Sequence, residues 1–170
     1  MAAMSANGKS GAPAGPRARF AAAWNTFRTR AFKAFTRQHT RLLVRTRGRP
    51  SRTGLRLRFL VLETRSRRTG MAHQVVLLYM PGPTGLVVIA SNFGAERPPG
   101  WWLNLEAGSD ALVHRSGRTT AVHARVLAGE ERAATALRAA AYNSQWRRYL
   151  HTVQRELPIV LLEPRVTPTV

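Results

Sequence analysis

The sequence predicts a compact β-barrel with helices on its outside, a mainly β architecture of the α+β class. Three observations carry that expectation. From Leu55 onward about six short runs are patterned as strands, alternating or continuously apolar, with Gly or Pro at their ends. One long helical pattern interrupts them, just before the last run. Strands and helices do not alternate regularly, which argues against a parallel β-α-β sheet.

The elements follow in chain order. Residues 1–16, MAAMSANGKSGAPAGP, are small and rich in Gly, Pro and Ala, and are expected to be disordered. They lack the continuous apolar core of a secretory signal, and no run in the chain is long enough to cross a bilayer. In residues 17–46, Phe20, Trp24, Phe27, Ala31, Ala34 and Phe35 recur at helical steps on one face, while Arg19, Arg28, Arg30, Lys33 and Arg37 fall largely elsewhere. Such a helix either covers the domain's own core or lies on an anionic membrane, with its aromatics in the interface and its arginines among the headgroups. An Arg-rich transit leader would look similar. RGRPSRTG, 47–54, reads as a polar linker. The expected division is therefore 1–16 disordered, 17–54 basic amphipathic helix and linker, and 55–165 barrel.

Within the barrel, LRLRFLVLET begins as an alternation and ends as an apolar run, a strand entering a core. HQVVLLYM is a second strand, PGPTG a turn, and GLVVIAS a third strand. A glycine loop, two prolines and a short apolar helix around Trp101 lead into DALVHRSGRTTAVHARVL. That segment holds two strands joined at Ser116-Gly117, with Val113, Thr120, Val122, Ala124 and Val126 expected inward. GEERAATALRAAAYNSQWRRYLHTV reads as one helix whose acidic start suits the helix dipole. LPIVLLEP, bounded by Pro158 and Pro164, is the last strand.

Composition removes several kinds of chemistry. The chain has 170 residues and no cysteine, which excludes disulfides and thiolate metal sites. Its five histidines have no zinc-like spacing beside a carboxylate, so no metal site is expected. Asp and Glu total 8, none paired for acid–base work, and no nucleophile elbow or Walker loop occurs. An enzyme of this composition needs a cofactor for its reactive chemistry. The net charge of +19 is lopsided: residues 1–62 carry 14 of the 27 Lys and Arg and no acid at all. Aromatics among those arginines could stack on bases, but their helical spacing buries them together, which disfavours nucleic-acid binding.

SRRTG, 66–70, places paired guanidinium groups in a turn between two apolar runs, where small polar residues are usual. Such a turn either decorates a basic surface or holds an anion. Further on, ASNFGAERPPGWWLNLEAGSDALV, 90–113, runs from a strand through Ser-Asn and a glycine loop to two prolines and Trp-Trp-Leu-Asn-Leu. This order, with SRRTG before it and LPIVLLEP after it, resembles the deazaflavin (coenzyme F420)-dependent nitroreductase family, of which actinobacterial proteins are typical. The resemblance covers roughly residues 55–165. It implies a split β-barrel that binds the deazaflavin coenzyme, whose ring donates or accepts a hydride and whose phospholactyl-polyglutamate tail is anionic.

Carried over residue by residue, the resemblance implies that Arg67 and Arg68, with the backbone amides of Thr69 and Gly70, cradle that tail. Ser91, Asn92, Phe93 and Gly94 match the loop that holds the ring through backbone amides, and Trp101 the tryptophan beside it; Trp102 reads as core. Tyr142, Trp146 and Tyr149, spaced for one helical face, match aromatics on the substrate side, a stripe that spacing alone would assign to the core. Ser91 and Tyr149 are the polar groups expected near the acceptor. Three positions depart from the family's pattern. His73 stands where Arg is frequent and can bind an anion when protonated, Asn92 stands where Lys is frequent, and Gly100 replaces a bulkier residue, which opens the pocket beside the ring.

The function expected is hydride transfer from reduced F420, with FMN as the alternative cofactor, to a hydrophobic acceptor such as a quinone or nitroaromatic. Two others compete: a flavin, haem or lipid carrier on the same barrel, and a basic nucleic-acid binder. The expected setting is cytoplasmic, peripheral on the inner face of the cell membrane through residues 17–46, with a homodimer suggested by fold-level analogy.

Overall fold

The structure, a computed structural model, describes residues 57–165. The readings of 1–16 and 17–54 lie outside the described residues. The strands are β1 (Phe59–Arg65), β2 (Ala72–Leu78), β3 (Met80–Pro81), β4 (Leu86–Ile89), β5 (Asp110–Arg115), β6 (Arg118–Val126) and β7 (Ile159–Pro164). The helices are α1 (Gly100–Ala107), α2 (Gly129–Tyr142) and α3 (Ser144–Thr152), with a 3₁₀ turn at Asn92–Gly94.

All strand pairs are antiparallel, in the order β2-β1-β5-β6-β7-β4-β3. The outermost strands of this sheet are consecutive in the chain, with Tyr79 alone between them. One kinked segment therefore serves both ends, and the sheet curls into a split barrel. The expected fold class is borne out, with two refinements. HQVVLLYM is split between two strands, because its first part pairs with β1 while Met80, with the following Pro81, pairs with β4, so the described sheet has seven strands instead of about six. The expected single helix over 129–153 is two: Asn143 is extended (φ −145°, ψ 122°), and its Oδ1 accepts from the N–H groups of Gln145 and Trp146 at 2.9 and 3.0 Å.

Two apolar clusters flank the sheet. Leu60, Leu62, Val88, Val113, Val122, Val160 and Leu162 pack inside the curl against Trp101, Trp102 and Leu105 of α1. On the other face Val87, Ile89, Ile159 and Leu161 meet Ala139 of α2 and Trp146 and Tyr149 of α3. Strands β4 and β7 are thus covered on both faces, which is why LVVI and IVLL are continuous apolar runs. At Ser116-Gly117 both turn residues have positive φ (51° and 82°), as a two-residue hairpin requires. The inward set expected for β5 and β6 needs correction. Val113 and Val122 are buried and Ala124 partly so, but Thr120 and Val126 are exposed. All of Arg118–Ala121 is exposed, so the hairpin tip extends past the core.

Candidate active site

The β1–β2 connection is built from its own backbone. Ser66 N–H donates to the Met71 carbonyl at 2.8 Å, Gly70 N–H donates to the Ser66 carbonyl at 2.7 Å, and Gly70 takes φ +69°. Ser66 Oγ accepts from the amides of Arg68 and Thr69 at 3.4 and 3.3 Å. The amides of Thr69 and Gly70, expected to cradle the tail, are both engaged by Ser66 within the turn. The cationic side chains remain. Arg65, Arg67 and Arg68, like most of the described arginines, form no salt bridge among the described residues; Arg125, Arg132 and Arg165 do. Arg65 Nη1 donates to the Gly70 carbonyl at 3.4 Å, and Arg68 is exposed.

Asn104 of α1 holds this turn. Its Oδ1 accepts from the N–H and Nη1 of Arg67 at 3.3 and 3.4 Å, and its Nδ2 donates to Thr64 Oγ1 at 3.1 Å. Thr64 Oγ1 in turn donates to the carbonyl of His73, whose exposed residue lies beside it on β2. Asn104 and Thr64 are both buried, so each needs these partners. Four residues separate Asn104 from Gly100, a rise of about 6 Å along the helix. Helix α1 therefore links the arginine turn to residues 95–99, the segment that follows the glycine loop.

That loop is backbone-strained. Asn92 (φ 46°), Phe93 (φ 56°) and Gly94 (φ 82°) are left-handed in succession, which costs roughly 1–2 kcal/mol at each non-glycine residue. Gly94 N–H donates to the Ser91 carbonyl at 2.8 Å, and Asn92 Nδ2 to the Arg97 carbonyl at 2.9 Å. A Cβ at Gly94 would lie 3.1 Å from the Tyr149 ring, so the loop rests on α3. Phe93 is 47% exposed, while Ser91 is buried. Arg155 donates to the carbonyls of Ala90, Ser91 and Ala95, and burial lowers its pKa.

Of the expected site residues, Tyr149 and the Ser91–Gly94 loop come together directly. Tyr149 Oη accepts from Gln145 Nε2 at 2.9 Å, and the Arg148 guanidinium lies 5.3 Å from its ring centroid. Trp146 is buried, with its ring 5.9 Å from that of Tyr142. The Tyr142 hydroxyl is buried, and desolvation raises its pKa. These three aromatics pack in or against the second cluster. Trp101 and Trp102 both pack in the first, so a place for Trp101 beside a coenzyme rests on the resemblance. Among the described residues no group of His, Asp and Glu could hold a metal, and no helix is long and apolar enough to cross a membrane.

A family model described as F420H(2)-dependent quinone reductase matches residues 35–164. The chain belongs to that family. It is an oxidoreductase dependent on reduced coenzyme F420, as the motifs implied, and the match gives FMN no support. A Mycobacterium tuberculosis protein, provisionally named as a quinone reductase of the same kind, is 29% identical over 106 residues, 62% of this chain and 89% of its own. A solved F420-H2 dependent reductase, FDR-A, has a TM-score of 0.57 at 23% identity, covering 62% of this chain and 93% of its own. A structure described as a domain-swapped dimer has the same TM-score and identity, over 79% of its own chain. At that identity both bear on the fold alone.

The residues present fit the coenzyme this family uses. An arginine turn with no salt bridge among the described residues suits a phosphate and carboxylate tail. At Gly70, in the arginine turn, and at Gly100, the first residue of α1, an added Cβ would meet nothing within 4 Å. Sequence reasoning did not single out Asn104, which holds the arginine turn, or Arg155, which binds the carbonyls around the glycine loop. Asn104 stood in the quoted Trp-Trp-Leu-Asn-Leu motif, whereas nothing near Arg155 marked it.

Proposed function

We propose that this reductase holds the tail of F420 on Arg67 and Arg68, with His73 beside them, and its ring on the Ser91–Gly94 loop. The acceptor is a quinone or a comparable apolar molecule. The observation that carries this reading is the arginine turn, which forms no salt bridge among the described residues and is pinned by Asn104 to α1, the helix that follows the ring loop after residues 95–99. When bound, the reduced deazaflavin supplies the hydride. The protein's part is positioning: it aligns donor and acceptor and excludes water, and needs no titratable group at the centre. Ser91 and Tyr149 are the proposed hydrogen-bond donors to the acceptor oxygen as negative charge develops there. Gln145 supports that role by donating to Tyr149 Oη, which leaves the phenolic proton for the substrate. Tyr142, Trp146 and Gly100 would shape the apolar pocket.

Two further features belong to this proposal. Residues 17–46 would dock the enzyme on an anionic membrane, where apolar quinones reside. A homodimer is the proposed assembly, supported by the dimeric description of one structural relative.

Fluorescence polarisation of F420 tests the coenzyme site. Replacing Arg67 and Arg68 together by Ala should weaken binding by roughly 1.5–3 kcal/mol per lost charged hydrogen bond, with little change in melting temperature. Unchanged affinity in the double variant would remove the tail from this turn.

A further inference from the structure

Arg155 lies between α3 and β7, and its guanidinium is used entirely on backbone. Nε donates to the Ala95 carbonyl at 3.1 Å, Nη2 to the carbonyls of Ala90 and Ser91 at 3.0 and 3.1 Å, and Nη1 to that of Glu156 at 3.3 Å. Three of these acceptors bracket the left-handed turn at Asn92–Gly94, two before it and one after it. No carboxylate forms a salt bridge with Arg155 among the described residues, although Glu156 is its chain neighbour and pairs with Arg132 instead.

We propose that Arg155 is the positioning residue for the deazaflavin ring, acting through the Ser91–Gly94 loop. The inference rests on the reading that this loop holds the ring. Left-handed non-glycine residues persist only where their surroundings over-determine them. The loop's own bonds, Gly94 to Ser91 and Ala95 to Asn92, close the turn but do not fix it on the barrel. Arg155 does, because its own chain is tied to β4: Ala90 N–H donates to the Pro158 carbonyl at 2.9 Å, and Ile89 pairs with Ile159. The engaged carbonyls also orient their peptides. A trans peptide is planar, so a Ser91 carbonyl turned toward Arg155 turns the Asn92 N–H to the opposite side. That amide is a donor suited to a ring carbonyl or ring nitrogen. A planar fork with five N–H donors can hold carbonyls on both sides of the turn, which a single ammonium group cannot.

The test uses the full chain with Arg155→Met and Arg155→Lys. Two ligands are titrated by fluorescence polarisation: F420, and a deazaflavin lacking the phospholactyl-glutamate tail. Melting curves establish folding, and hydrogen exchange of the 92–95 amides is followed without ligand. In the folded Met variant both ligands should weaken by the same factor, about tenfold or more, with faster exchange in the loop. Arg155→Lys, which keeps the charge and loses the fork, should not restore affinity for the tailless deazaflavin to the wild-type level. The Arg67/Arg68 double variant should weaken F420 alone. Wild-type affinity for the tailless ligand in a folded Arg155 variant overturns the proposal, and if the Met variant does not fold, the Lys variant decides. If the wild-type protein binds neither deazaflavin, the ring-loop reading fails instead, and unchanged loop exchange in the variants then overturns Arg155 as the loop's anchor.

Discussion

Gly100 opens α1 without either usual reason for a glycine. Its φ is not left-handed, and a Cβ there would meet nothing within 4 Å. What it leaves is free volume next to Trp101. Gly100→Met should therefore fold normally, with a melting temperature unchanged or slightly raised, since glycine is the poorer helix former by roughly 0.5–1 kcal/mol. Steady-state rates should fall more for bulky quinones than for small ones; equal slowing of both would show that the residue does not gate the acceptor. At this scale the sequence was partly legible. The paired arginines and the Ser-Asn-Phe-Gly loop announced themselves by residue type. The inward-facing amides of Thr69 and Gly70 did not, because the competing acceptors, Ser66 Oγ and its carbonyl, are set by turn geometry. Asn104 and Arg155 were hidden because their partners lie 40 and 64–65 residues away.

Among the elements, β4 and β7 are the most constrained, being covered on both faces and paired from Leu86↔Leu162 to Ile89↔Ile159. Gly85, just before β4, lets the two backbones approach: a Cβ there would collide with the Leu162 carbonyl, which cannot move without shifting the strand. Gly85→Ala should cost about 1–3 kcal/mol, a typical overpacking cost. For a barrel of this size that is a fall in melting temperature of roughly 5–15 °C, read by thermal denaturation. A melting curve that coincides with the wild type would show that the strands can separate at this point. Strands β4, β5, β6 and β7 were legible from apolar runs and the Ser116-Gly117 turn. The breaks at Tyr79 and Asn143 were not. Tyr79 changes strand partners without a Gly or Pro, and Asn143 sits in a continuous helical pattern where only its cap bonds reveal the stop.

For the whole molecule, the split barrel and the family were legible because the order of short motifs is more specific than any one of them. The basic first third is tested by truncation. A chain beginning at Gly48 should keep its F420 affinity and lose binding to anionic vesicles, while the full chain should bind them less as salt rises. Each basic residue near such a surface contributes about 1 kcal/mol, screened within a Debye length. Equal vesicle binding by both chains would remove residues 17–46 from that role. The sheet order has its own consequence during synthesis. The last described strand, β7, lies between β6 and β4, in the interior of the sheet. A nascent chain that has reached α3 already contains every other strand, yet β4 and β6 still lack the neighbour that joins them. Until residues 159–164 leave the ribosome, the edges of β4 and β6 stand open to other chains, that of β4 on a wholly apolar strand.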